Sequence, residues 1–156
     1  MISHNKVPVF EYNKITNYIY IGTNMCCQFH FNRELIRKGI RADLSLEEKR
    51  LDQPFGVKYY LWIPTKDHYI SSFSQLLVSI KFLKELEKQK IKCYIHCQNG
   101  HGRAPSLVAA YFISKGMSIE DAIKFIKDKR PSIHPNRRQI KALINFKKKY
   151  KDENYS

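Results

Sequence analysis

The sequence predicts a single α/β domain with a central, mostly parallel sheet of four to five strands flanked by helices, and a tight loop between one strand and the next helix. Three observations carry this expectation. Short runs rich in β-branched and aromatic residues alternate with longer helical patterns through the first two thirds of the chain. The last third reads as helix only. A glycine-containing stretch follows the most compact strand directly, at the end of the sheet where open α/β folds hold their ligands. The 156 residues suffice for one layered core. No repeat, low-complexity tract or linker divides them, so 1–156 reads as one domain with a frayed tail at about 151–156.

Each element follows from local pattern. Residues 7–10 and 18–21 have strand character, and Gly22 ends the second run. Residues 32–38 form a short helix closed by Gly39, and 40–44 and 57–63 are strands. Phe73, Leu76, Leu77, Ile80, Leu83 and Leu86 recur at helical spacing and predict an amphipathic helix to about Lys90. Residues 91–96 make the compact strand. Pro105 suits the first turn of a helix over 106–115, which Gly116 terminates. Ser118 with Asp121 has the form of a capping box opening a helix to Lys129, with Ile119, Ala122, Ile123 and Ile126 inward. Asn136 with Gln139 has the same form for a final helix to about Tyr150.

Composition narrows the function classes. A hydrophobic content of 43%, with ten Tyr and nine Phe, argues for a folded chain and against disorder. The longest apolar run, 107–113, is too short to cross a bilayer, and the first residues lack the apolar core of a secretory signal. A soluble cytoplasmic protein is the expectation. Lys and Arg number 28 against 14 Asp and Glu, a surplus that draws anions, whether phosphorylated proteins, acidic lipid surfaces or nucleic acid, without choosing among them. Much of it lies after Lys124, where solvated helix faces explain it equally well. No stretch interleaves basic and aromatic residues as a groove for single-stranded nucleic acid requires, which makes nucleic acid a poor candidate partner. Of the four cysteines, Cys26, Cys27 and Cys93 read as buried thiols, with no disulfide framework and no CxxC pair for zinc.

The informative segment runs from Ile95 through His96, Cys97, Gln98, Asn99, Gly100, His101, Gly102 and Arg103 to Ala104, Pro105 and Ser106. It is a strand, a tight loop that begins with Cys and ends with Arg, and a helix N-terminus. Glycines at 100 and 102 let successive N–H groups turn inward as an anion nest, from Gln98 to Arg103. The helix adds unpaired N–H groups and the positive end of its dipole. Arg103 offers a planar fork that matches two phosphate oxygens. Such surroundings favour the thiolate of Cys97, its nucleophilic form.

His96-Cys97, five residues and Arg103 resemble the HCx5R signature of the cysteine-based protein phosphatases, and the small size resembles their dual-specificity branch. The similarity extends along the chain: Tyr18 to Gly22 resembles the family's opening strand and glycine, and Ile40 to Leu44 its second strand. Arg130-Pro131 and Pro135-Asn136 resemble the segment that follows the signature helices. The resemblance implies a phosphomonoester hydrolase for phosphotyrosine and phosphoserine or phosphothreonine, acting through a phosphocysteine with no metal and no cofactor. It also implies a general acid on a loop roughly thirty residues before the Cys, where Trp62-Ile63-Pro64-Thr65-Lys66-Asp67 offers Asp67. Asp43 is the rival carboxylate, although it falls inside a strand pattern.

His96 is expected to support the loop by hydrogen bonding. His101, between two glycines, either adds positive charge beside the substrate or faces solvent as an ordinary loop side chain. Ala104 departs from the Ser or Thr that most relatives carry after the Arg, which would slow hydrolysis of the intermediate unless Ser106 substitutes. Three alternatives stay open. The Thr65-x-Asp67 turn and the basic surface fit a phospholipid phosphatase acting on phosphatidylglycerophosphate or a phosphoinositide. An RNA 5′-triphosphatase is a weaker enzyme reading, and a slow or inactive phosphate-binding module is the non-enzymatic one.

Overall fold

The computed structural model describes residues 7–155. Five strands, β1 (Tyr12–Lys14), β2 (Ile19–Gly22), β3 (Ile40–Ser45), β4 (Tyr59–Trp62) and β5 (Lys92–His96), form one sheet in the order β1-β2-β5-β3-β4. Only β1 is antiparallel to its neighbour. β5 is central, so its carboxyl end opens between β2 and β3. The helices are α1 (Arg33–Arg37), α2 (Phe73–Lys88), α3 (Arg103–Ser114), α4 (Ile119–Lys129) and α5 (Arg137–Tyr155).

The expected fold is the observed one, with differences at particular elements. Residues 7–10 are not a strand; Pro8 lacks the N–H a ladder needs, and Val9 instead gives its carbonyl to the Thr23 hydroxyl at 2.7 Å. The edge strand is Tyr12–Lys14, joined to β2 by a turn in which Thr16 Oγ1 accepts the Tyr18 and Ile19 N–H groups. α3 begins at Arg103, three residues earlier than expected; Pro105 still lies in the first turn, where a missing N–H costs no helical bond. The tail expected to fray at 151–156 is helical as far as Tyr155. The Asn136 capping box closes reciprocally, whereas at Ser118 only the half in which its side chain caps the helix forms. Asn136 Oδ1 accepts the Gln139 N–H while Gln139 Oε1 accepts that of Asn136, and Ser118 Oγ accepts the Asp121 N–H.

The pleat of β5 sorts the site. Cys93, Ile95 and Cys97 join the main core with α2 to α5, whereas Tyr94 packs with Tyr20, Phe31, Leu35 and Ile40 on the other side. Every residue of α3 from Arg103 to Ile113 is buried, which fixes the start of this helix against the sheet. Cys93 is the buried thiol expected of it, and burial pushes its ionisation well up. Cys26 and Cys27 depart from the expectation of free thiols. They end a single 3-10 turn after β2 and are joined as a vicinal disulfide, their Cα atoms 3.8 Å apart across one trans peptide.

Candidate active site

Cys97 follows β5 directly and is buried, 3% exposed. The loop after it is held from outside, carbonyl by carbonyl. Gln98 O accepts the Asn24 N–H at 3.1 Å, and His101 O accepts the His134 N–H at 2.9 Å. Arg130 donates Nη2 to Asn99 O and Nε to Gly100 O, both at 2.9 Å. Gly102 O accepts from the Ser106 N–H and from Ser106 Oγ at 2.6 Å. A trans peptide points its N–H opposite to its C=O. The N–H groups of Asn99, Gly100, His101, Gly102 and Arg103 are therefore directed to the inside of the loop, toward the N-terminus of α3. Gly100 is needed for this path: its φ is +69°, and a Cβ there would lie 2.7 Å from Gly22 O.

The Arg103 side chain is buried and anchored by Nη1 on Thr65 O at 3.1 Å, with Leu46 O farther off at 3.5 Å. Its Nε lies 3.5 Å from Asp67 Oδ1. Asp67 is on the loop between β4 and α2, 59% exposed, and its Oδ1 also accepts the His68 N–H at 2.9 Å. Two residues of the α5 N-terminus hold that loop: Asn136 Nδ2 donates to His68 O and Gln139 Nε2 to Tyr69 O. Gln139 also packs on Gly102, where an added Cβ would meet its Nε2 at 3.0 Å. One buried glutamine thus spans the Cys97 loop and the Asp67 loop.

His96 lies behind the loop, fully buried. Its Nε2 is 3.2 Å from Asp43 Oδ1, 3.3 Å from Asp52 Oδ2 and 3.4 Å from Cys27 Sγ. Burial works against its charge, but the two carboxylates outweigh that and push its pKa up to about 10. Burial raises Asp43 despite His96, whereas Asp52, bonded to His96 and to Arg50, is lowered. Asp43 is therefore a partner of His96 in the interior, away from the mouth where Asp67 lies.

The family profile "Dual specificity phosphatase, catalytic domain" matches residues 19–149 of this chain. The chain belongs to the dual specificity phosphatase family. Human dual specificity protein phosphatase 7 is 30% identical over 141 residues, covering 86% of this chain. The chain spans a third or less of the length of the first curated relatives it matches. A protein of comparable length, the tyrosine phosphatase candidate 123R of Invertebrate iridescent virus 6, is 30% identical over 145 residues, which are 88% of this chain and 93% of that protein. Among solved structures, PTPMT1 superposes with a TM-score of 0.77 at 24% identity, covering 92% of this chain and 98% of its own.

Within this family frame the structure brings together Cys97, the loop from Gln98 to Gly102, Arg103 and Asp67. His101 turns its ring against that of His134, centroids 4.9 Å apart, at the rim of the loop. Ala104 is fully buried, and the Ser106 hydroxyl is directed to Gly102 O. Sequence reasoning missed Arg130 and Gln139 as supports of the phosphatase loop, and Asp52 as the second partner of His96. Arg130-Pro131 was visible only as a family resemblance and Gln139 only as half of a helix cap. No helix among the described residues is long and apolar enough to cross a membrane.

Proposed function

We propose that this domain hydrolyses phosphomonoesters on proteins, phosphotyrosine and phosphoserine or phosphothreonine alike, through a phosphocysteine. The observation that carries the reading is the Cys97 loop, its carbonyls held outward and its N–H groups inward, with Arg103 and Asp67 3.5 Å apart at its edge. The substrate phosphoryl group would sit in the nest from Gln98 to Arg103, with the guanidinium on two of its oxygens. Cys97 Sγ attacks phosphorus in line; the S–P bond forms as the P–O ester bond breaks, and Asp67 gives its proton to the leaving oxygen. The Asp67 carboxylate then takes a proton from water as that water attacks phosphorus, and inorganic phosphate leaves with the thiolate restored. Each step uses groups of this chain. Because the nucleophile must remain a reduced thiol, the cytoplasm is the compartment that suits it.

A phospholipid substrate is the second reading, favoured by cations beside the acid loop. Lys66 Nζ lies 5.0 Å and the Arg138 guanidinium 4.3 Å from the Tyr69 ring centroid, so both stand near Asp67, where an acidic surface would approach. Turnover on phosphotyrosine and phosphoserine peptides, phosphatidylglycerophosphate and phosphoinositides separates the two. Faster turnover of the lipids than of any peptide would replace the first reading with the second. Cys97→Ser is expected to abolish turnover of all of them while vanadate and phosphate still bind. Residual wild-type activity in that variant would overturn the covalent mechanism.

A further inference from the structure

Behind the loop, on the side of the sheet away from α3, metal-ligating groups converge from three separate segments. Cys26 and Cys27 end the turn after β2, Asp43 lies within β3 and His96 closes β5. All four are buried, and one ligand atom of each lies within 4.8 Å of the others. His96 Nε2 stands 3.4 Å from Cys27 Sγ and 3.2 Å from Asp43 Oδ1. Ligands on a tetrahedral zinc, with bonds of about 2.0–2.3 Å, are separated by roughly 3.3–3.8 Å, so these distances already approximate a coordination shell. Asp43 is also incompletely served by protein: its Oδ1 faces His96 Nε2 at 3.2 Å, but its buried Oδ2 has no hydrogen-bond partner among the described residues. The apolar side chains of Tyr20, Phe31, Leu35, Ile40 and Tyr94 pack with the two cysteines and leave the cluster no ready access to water.

We propose that, when Cys26 and Cys27 are reduced, these four side chains form a tetrahedral site for a thiophilic divalent cation, zinc above all. Two thiolates, one imidazole and one carboxylate suit zinc and exclude magnesium or calcium, which require oxygen donors. The two cysteines are bonded to each other in this structure, so the site exists only after reduction. A dithiol reductant supplies two electrons and two protons, the S–S bond becomes two thiols, and the reductant leaves as its own disulfide. The cation then displaces both thiol protons, and His96 binds through Nε2 after releasing any proton held there. Asp52 retains its pairing with Arg50 beside the site. The bound ion would tie the turn after β2, β3 and β5 together directly behind Cys97.

The test uses the full chain as Cys97→Ser, so that the nucleophile cannot itself bind metal, reduced with a phosphine and freed of it under anaerobic conditions. Cobalt(II) is expected to bind with one-to-one stoichiometry, giving a thiolate-to-cobalt charge-transfer band and the intense visible bands of tetrahedral cobalt. Zinc should displace cobalt and raise the melting temperature. The same protein before reduction should give none of these signals. Cys26→Ser/Cys27→Ser in this background should lose the charge-transfer band. Asp43→Asn should keep it but bind at least about tenfold more weakly. Absence of stoichiometric cobalt binding by the reduced chain, or bands that survive in the double serine variant, would overturn the proposal. Should the double variant not fold, an unchanged cobalt affinity in Asp43→Asn is the refuting result.

Discussion

Arg130→Met tests whether the orientation of the signature loop is imposed from outside. Arg130 is 1% exposed, yet it makes four polar contacts: Asn99 O and Gly100 O at 2.9 Å each, Asn13 Oδ1 at 2.8 Å and Glu11 Oε1 at 3.1 Å. Methionine keeps much of the apolar stem and removes the fork. Glu11 is half exposed and can turn to water, so its loss contributes little. The two loop carbonyls have no such escape. A buried acceptor left unpaired costs about 1–3 kcal/mol, which gives roughly 2–6 kcal/mol for the pair. At about 2–4 °C per kcal/mol for a domain of this size, a loss of about 3 kcal/mol lowers the melting temperature by roughly 6–12 °C. Catalysis should fall further than stability alone explains. Released carbonyls of Asn99 and Gly100 can turn into the cradle, where they repel phosphate and withdraw the N–H groups of Gly100 and His101. Calorimetry gives the stability; kcat/KM on p-nitrophenyl phosphate and vanadate affinity, both measured well below the melting temperature, give the cradle. A variant that melts lower but keeps kcat/KM and vanadate affinity within twofold would refute the reasoning.

The remaining predictions concern the proposed catalytic groups and the residues beside them. Arg103→Lys should lose nearly as much kcat/KM as Arg103→Ala, because an ammonium cannot place two parallel donors on the phosphate or keep the anchor on Thr65 O; a rate near wild type would make Arg103 a source of charge only. Asp67→Asn should slow phosphoserine peptides more than p-nitrophenyl phosphate, whose phenol departs with less help; equal losses for both substrates would place the acid elsewhere. Ala104→Ser should speed breakdown of the phosphocysteine, seen as a pre-steady-state burst of p-nitrophenol that shrinks in the variant. An unchanged burst and rate would show the missing hydroxyl to be unimportant. Gln139→Ala should reduce kcat with little change in vanadate affinity, since it loosens the Asp67 loop at Tyr69 O while Arg130 still holds the nest; equal losses in both would mean that Gln139 supports the whole site.

Most of the fold was legible because its signals are local. The period of Phe73, Leu76, Ile80 and Leu83 and the Ser118 and Asn136 caps each depend on residues within one or two turns. The edge strand escaped because its three residues carry no apolar alternation and take their conformation from pairing with β2. Residues 7–10 have the right side chains for a strand, but Pro8 sits among them. The strand order, with β5 between β2 and β3, has no local signal. Yet that order determines which residues meet His96: Asp43 reaches it because β3 pairs with β5 and sets Asp43 beside Tyr94, one pleat away.

The site divides along the same physical line. Cys97 to Arg103 is contiguous, and its glycines, arginine and helix N-terminus announce an anion cradle wherever they occur together. Asp67 needed the family resemblance, since an Asp in a turn after a strand is ordinarily a surface residue, and at 59% exposure it is that as well. Arg130 could not be read at all from its neighbours. A basic residue at the end of α4 reads as a cation at a helix C-terminus, facing water like Lys127 and Lys129. Two of its partners are backbone carbonyls thirty residues away and two are the side chains of Asn13 and Glu11, all beyond the reach of a local pattern. What distinguishes it is burial: a guanidinium at 1% exposure would be prohibitively costly unless each face of the fork met an acceptor. Two of the acceptors it meets, Asn99 O and Gly100 O, are carbonyls that must point away from the phosphate. The desolvated arginine and the inward N–H groups of Gly100 and His101 are thus two sides of one arrangement.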